Sequence, residues 1–121
     1  MRCSLIVIAA ALLYFVPLFA DDKDHDQNIE IDHLLETIGN SECVFIRNGS
    51  RHSADKAEEH LRMKYERGRR YAVSAESFIE KLASKSSITR KIYMMECPGS
   101  KAEPSSEWLT HRLEEFRRAQ K

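Results

Sequence analysis

The chain has 121 residues, with 19 Lys and Arg balanced by 19 Asp and Glu, and 42% of its residues are hydrophobic. A chain of this length has room for one small domain behind an N-terminal targeting segment, which excludes a multidomain protein. The formal net charge is zero, but the charges are segregated along the chain.

Residues 1–20 show the pattern of a secretory signal peptide. A basic start at Arg2 is followed by an apolar run from Leu5 to Val16 and by the small residue Ala20 before an acidic segment. The apolar run is shorter than the ~20 residues of a membrane helix, which favours cleavage after Ala20 over an uncleaved anchor. We therefore expect a periplasmic or secreted protein with no membrane span after cleavage.

The first predicted elements are an acidic segment and a helix. Residues 21–28 are polar, lack apolar periodicity and are predicted to form a flexible tail. A helix is expected from about Ile29 to Ile38, because apolar residues recur there at helical spacing. Gly39 is the expected C-terminal stop of this helix.

Residues 43–53 are predicted to form a β-hairpin. Its centre is Asn48-Gly49, the dipeptide that most readily adopts positive φ at both central positions of a tight hairpin turn. Ser53 is expected to cap a second helix from Ala54 to about Arg67 by accepting a backbone N–H hydrogen bond.

The second half of the chain is predicted to contain two helices and a strand. Ser74 is expected to cap a helix from Ala75 to Ser84, and a polar link leads from it to a strand at 92–97. The last helix begins near Pro104, with an apolar face of Trp108, Leu109, Leu113 and Phe116. Residues 29–121 are therefore predicted to be a single α+β domain: about four short helices packed on a small antiparallel sheet.

Two cysteines remain after signal removal, Cys43 and Cys97, and an even pair in an oxidising compartment favours a disulfide. If the two strands are antiparallel, the start of one lies opposite the end of the other, which places these cysteines side by side. The C-x-x-C spacing of a redox pair is absent. A structural disulfide, stabilising the domain by about 4 kcal/mol on the chain-entropy model, is predicted.

The charge distribution suggests a binding surface. Residues 21–42 carry eight acidic residues and one lysine, whereas residues 61–91 carry nine basic residues and three glutamates. The alternatives are an ordinary solvated surface and a contact with an anionic cell-envelope component or a periplasmic protein. Nucleic acid is not expected as a partner of an exported domain. The candidate binding residues are Arg62, Lys64, Arg67, Arg70, Lys85, Arg90 and Lys91.

No motif specific for a catalyst, a metal site or a cofactor occurs, so we predict neither a metal nor a cofactor. His60 and Lys64 are four residues apart on the second predicted helix and project from one face. A lysine of lowered pKa can activate a serine, and Ser84, Ser86 and Ser87 follow in a loop. A small Ser/His/Lys-dependent hydrolase or transferase is therefore the alternative to a non-enzymatic binding or accessory domain.

An ordered series of short segments resembles the YfeK-like family of small bacterial exported proteins of unknown function. The matching segments are Phe45-Ile46-Arg47-Asn48-Gly49, His60-Leu61-Arg62-x-Lys64, Ala75-Glu76-x-Phe78-Ile79, Ala83-Ser84-Lys85-Ser86-Ser87 and Tyr93…Pro98-Gly99. The family has Gly and Pro where this chain has Arg90 and Ile92. The resemblance covers roughly residues 29–116 and implies export from a bacterial cytoplasm and a shared fold, but no activity, cofactor or catalytic residue.

Overall fold

The computed structural model describes residues 21–121, with side chains described from residue 25 onwards, so the predicted signal peptide lies outside the described residues. The described chain forms, in order, α1 (Asp21–Asn40), β1 (Val44–Arg47), β2 (Ser50–His52), α2 (Ala54–Arg67), a 3-10 turn (Arg69–Tyr71), α3 (Ala75–Lys81), β3 (Met94–Glu96), β4 (Glu103–Pro104) and α4 (Ser105–Ala119). The α+β fold class is thereby confirmed. In this part of the chain, no helix is both long and apolar enough to cross a membrane.

The strands form one antiparallel sheet in the order β2-β1-β3-β4. Phe45 lies opposite His52 on one side and opposite Met95 on the other. Asn48 and Gly49 both have positive φ, +51° and +78°, which confirms the predicted hairpin turn.

The second half of the sheet differs from the sequence prediction in two ways. β3 is shorter than the predicted strand 92–97, since Ile92 pairs with Lys85 in an isolated bridge before β3 begins. The two-residue strand β4 was not predicted. It is too short to produce any periodicity in the sequence.

Helix α1 begins at Asp21, so residues 21–28 are helical where the sequence predicted a flexible tail. The tertiary contacts nearest to this segment lie at its end and just beyond it: the Tyr65 hydroxyl donates a hydrogen bond to the side chain of Asn28, and Glu30 is ion-paired with Arg117 of α4. The apolar face predicted for this helix is confirmed, because Ile31, Leu34, Leu35 and Ile38 are all buried.

Gly39 lies inside α1, which ends at Asn40, so its predicted role as the C-terminal stop is wrong. A Cβ atom at this position would overlap the carboxylate of Glu58 on α2. The glycine is therefore the point at which α1 and α2 approach each other closely.

The two serines predicted to cap helices behave differently. The Ser74 hydroxyl accepts a hydrogen bond from the backbone N–H of Ser77, as predicted for the cap of α3. Ser53 precedes α2, but its hydroxyl donates to the Asp55 carboxylate instead of accepting a backbone bond, so its predicted capping bond is wrong. A hydrogen bond to a charged carboxylate is stronger than one between neutral groups, which favours the side-chain orientation that donates to Asp55.

The core lies between one face of the sheet and the four helices. Its largest fully buried side chains include Phe45, Phe78, Tyr93 and Met95. Phe116 of α4 is only half-buried and stacks on the ring of His33, with 4.1 Å between ring centroids.

Cys43 and Cys97 form a disulfide, as predicted. The pairing of Val44 with Glu96 places the residue before β1 beside the residue after β3. The bridge therefore ties together two strands whose cysteines are 54 residues apart in sequence.

Replacing both Cys43 and Cys97 by alanine is expected to lower the free energy of unfolding by about 4 kcal/mol, because the unfolded chain gains the freedom that the bridge removes. Urea denaturation of the oxidised protein and of the double variant measures this difference. A reducing agent should destabilise the wild type and leave the double variant unchanged. Equal stability of the oxidised wild type and the variant would contradict the prediction.

Candidate functional site

The structure places a group of basic side chains where the hairpin meets α2. Strand β1 ends at Arg47, and one Nη of its guanidinium lies 3.0 Å from Nδ1 and 3.1 Å from Nε2 of His60 on α2. Because the same nitrogen is equidistant from both ring nitrogens, it makes one contact with the imidazole, donating to whichever ring nitrogen is unprotonated. We call Arg47, His60 and Lys64 the basic cluster.

Lys64 is the third member of the basic cluster and is half-buried. Its Nζ donates to the Tyr93 hydroxyl and to the backbone carbonyl of Lys85, both at 3.1 Å. The Tyr93 ring packs against Phe45 in the core and presents its edge to His60. Lys64 is thus held by neutral oxygen acceptors.

The electrostatics of the cluster disfavour positive charge. Burial, together with the charges of Arg47, Lys64 and His52, lowers the pKa of His60 to about 4. Burial also lowers the pKa of Lys64, and Arg47 lowers it further. Among residues 25–121, neither Arg47 nor Lys64 forms an ion pair with a carboxylate. The cluster therefore combines two cations with a neutral imidazole and provides donors for an anion.

A groove beside the cluster gives an anion room to approach. It has a volume of about 540 Å³ and lies between the hairpin and α2. Five of its eight lining residues are Arg, Lys or His, namely Arg47, His52, Lys56, His60 and Arg62; the other three are Glu59, Met63 and Glu66, and Lys64 is not among them.

The hydroxyls of Ser84 and Ser86, two of the candidate catalytic residues, are bonded to the backbone of their own segments. The Ser84 hydroxyl donates to the backbone carbonyl of Glu80, and the Ser86 hydroxyl accepts from the N–H groups of Ile88 and Thr89. Ser87 is exposed. In the described chain, no hydrogen bond joins any of these serine hydroxyls to His60 or Lys64.

The predicted binding residues divide into two groups. The first group comprises Lys64, Lys85, Arg90 and Lys91. Lys64 donates a hydrogen bond to the backbone carbonyl of Lys85, and the loop that continues from Lys85 carries Arg90 and Lys91, both exposed.

The other three predicted binding residues lie apart from this contact. Arg62 is ion-paired with Asp32 of α1 and with Glu58. Arg67 is exposed at the end of α2, and Arg70 packs over the ring of Tyr71 in the 3-10 turn. None of these contacts joins them to the basic cluster.

Sequence reasoning missed Arg47 and Tyr93 as members of the site. Arg47 directly precedes the Asn48-Gly49 turn, and a cation at the end of a hairpin strand was the available signal. Tyr93 offered no such signal, because an aromatic residue beside a strand is usually part of the core. The metal prediction stays open, although the described residues contain no group of three or more potential metal ligands.

Fold and site together define a small, disulfide-linked α+β domain with a basic cluster at the junction of its sheet and its second helix. The chain belongs to the family of unknown function DUF5329, whose family model matches residues 25–117. It is also 35% identical over 91 residues to the uncharacterized protein YfeK of Salmonella typhimurium, a match that covers 74% of this chain and 75% of the relative. No solved structure matches the chain significantly.

The low pKa of His60 predicts a pH-dependent stability. A histidine titrates near pH 6.5 when unfolded and about 4 here, so the unfolded chain binds more protons between these values. The contribution of His60 to the free energy of unfolding is complete above pH 6.5 and is lost as the pH falls towards 4. Urea midpoints measured across this range should fall less steeply in His60→Gln than in the wild type. Parallel curves for the two proteins would contradict the assignment.

Proposed function

We propose that this protein is an exported, non-enzymatic binding domain whose basic cluster holds an anionic group, phosphate or carboxylate, of a cell-envelope component. The observation that carries the proposal is that Arg47 contacts His60 and the charge of Lys64 acts on the same neutral histidine, while no carboxylate among residues 25–121 is ion-paired with either cation. Arg62, on the same helix as Lys64, differs in that Asp32 and Glu58 neutralise it.

An anion at the cluster would relieve an unfavourable arrangement. Beyond the effect of burial, Arg47 lowers the pKa of Lys64, which means that these two positive charges repel each other in the free protein, whereas the neutral His60 adds no charge. A bound anion offsets this repulsion, and the His60 imidazole can donate a hydrogen bond to it. The hydrogen bonds of Lys64 to Tyr93 and Lys85 hold its ammonium group in place before the anion arrives, which reduces the entropic cost of binding.

Two features support export to the envelope. The signal-like pattern of residues 1–20 predicts secretion, and the disulfide between Cys43 and Cys97 is typical of an oxidising compartment. An envelope component with phosphate or carboxylate groups fits both the predicted location of the protein and the positive charge of the basic cluster.

Titration of the oxidised protein with inorganic phosphate, followed by NMR of the His60 imidazole, tests the proposal. We expect phosphate to raise the pKa of His60 above its value of about 4, because the anion offsets the charges of Arg47 and Lys64. Arg47→Gln should weaken phosphate binding at least tenfold, which corresponds to about 1.4 kcal/mol, and high salt should weaken it in the wild type.

The matched control is Arg118→Gln, which removes the same charge from an exposed position near the end of α4. It should leave the phosphate titration unchanged. If phosphate and acetate both leave the His60 resonances unmoved, or if the two variants weaken binding equally, the basic cluster is not the binding site.

A further inference from the structure

A second surface lies next to the basic cluster and differs from it in carrying exposed apolar side chains. Ile88 is 92% exposed and Ile92 is 62% exposed, both in the segment 85–92 that connects α3 to β3. The same segment carries Lys85, Arg90 and Lys91, and no acidic residue occurs from 81 to 95. We call residues 85–92 the isoleucine loop.

Hydrogen bonds fix the conformation of the isoleucine loop. The backbone of Ser86 donates to the Lys91 carbonyl at 3.0 Å and accepts from the Arg90 N–H at 3.1 Å. The Ser86 hydroxyl accepts from two further N–H groups, at Ile88 and Thr89. A loop held in this way cannot easily turn its apolar side chains inward, so the exposure of Ile88 is built into the fold.

The backbone of the loop is also strained at a charged residue. Arg90 has a φ of +66°, a left-handed conformation that residues other than Gly, Asn and Asp adopt rarely. This conformation closes the turn that carries Ile88 outward. An arginine therefore occupies a position in which a glycine would be less strained.

The isoleucine loop is joined to the basic cluster from two sides. The Thr89 hydroxyl donates to the side chain of Asn48, the residue after Arg47, and the Lys85 carbonyl accepts from Lys64. The exposed apolar side chains and the unpaired cations thus belong to one continuous region of the molecule.

We propose that the isoleucine loop docks the protein on a membrane surface that contains anionic lipid. Ile88 and Ile92 enter the interfacial layer, while Lys85, Arg90 and Lys91 pair with headgroup phosphates. This inference rests on the proposed function and deepens it, because it names the anionic envelope component as a lipid surface. The charge complementarity is specific: apolar side chains surrounded by cations fit a surface whose anionic headgroups cover an apolar interior.

Two isoleucines and three cations give weak, reversible adsorption. Each basic residue near an anionic surface is expected to strengthen binding about fivefold, and each isoleucine that leaves water roughly tenfold. Binding should therefore require anionic lipid and should weaken at high salt.

Co-sedimentation with lipid vesicles tests the inference. We expect the oxidised protein to bind vesicles that contain phosphatidylglycerol and to leave purely zwitterionic vesicles unbound. The double variant Ile88→Ser with Ile92→Ser should bind at least tenfold more weakly. The matched control is Val73→Ser, which changes an apolar side chain of 65% exposure outside the loop and should bind like the wild type.

The phosphate titration of His60 separates this inference from the proposed function. If phosphate binds the cluster but vesicles are not bound, or are bound equally by the isoleucine double variant, the lipid inference is wrong and the proposed function stands. If the isoleucines are needed but zwitterionic vesicles bind as well as anionic ones, and phosphate leaves His60 unmoved, both proposals are wrong. Salt-resistant capture of one envelope protein through Ile88, without vesicle binding, would overturn the lipid surface in favour of a protein partner.

Discussion

The pairing of β1 with β3, closed by the Cys43–Cys97 bridge, determines where every other part of the candidate site lies. The bridge joins the ends of the two strands on one side of the sheet. At the opposite end, β1 leads through Arg47 into the hairpin turn, and the chain before β3 forms the isoleucine loop. The antiparallel register therefore brings the hairpin turn next to this loop, as the hydrogen bond between Thr89 and Asn48 shows. The cross-link and the candidate binding surface occupy opposite ends of the same pair of strands, so the bridge stabilises the sheet without covering the surface.

The helices fix the other half of the site through the core. Leu61 of α2 is fully buried. His60 precedes it and Lys64 follows it by three residues on the same helix, and both are half-buried at the edge of the core. Tyr93 contributes to both regions, because its ring is buried against Phe45 while its hydroxyl accepts a hydrogen bond from Lys64. A single side chain thus links the packing of the sheet to the position of a cation. The pKa values of His60 and Lys64 are lowered by this same burial, so the electrostatic character of the cluster follows from the packing.

Local patterns in the sequence were sufficient for the fold class, the hairpin and the extent of α2, because periodicity and turn chemistry act within a few residues. They failed where contacts distant in sequence decide the structure. Asn28 and Glu30 of α1 are contacted by Tyr65 and Arg117, which are 37 and 87 residues from these partners. The candidate site is of the same kind: Arg47 reaches His60 across 13 residues, and Lys64 reaches Tyr93 across 29. The sequence identified His60 and Lys64 by their spacing on one helix, but only strand pairing could add Arg47 and Tyr93.

Several features of the site oppose stability, and their positions are informative for that reason. Repulsion between Arg47 and Lys64 and the positive φ of Arg90 each disfavour the folded state locally, and the exposed Ile88 gains nothing from burial. The domain tolerates them because its stabilising interactions lie elsewhere, in the buried faces of α1, α3 and α4 and in the disulfide. Costs of this kind usually accumulate where a protein binds a ligand or a partner, because a bound state can repay them. These features lie in two adjoining segments, the hairpin end with α2 and the loop 85–92, and together they favour a binding surface over an ordinary solvated face. Arg62, which the sequence also singled out, incurs no such cost because Asp32 and Glu58 neutralise it.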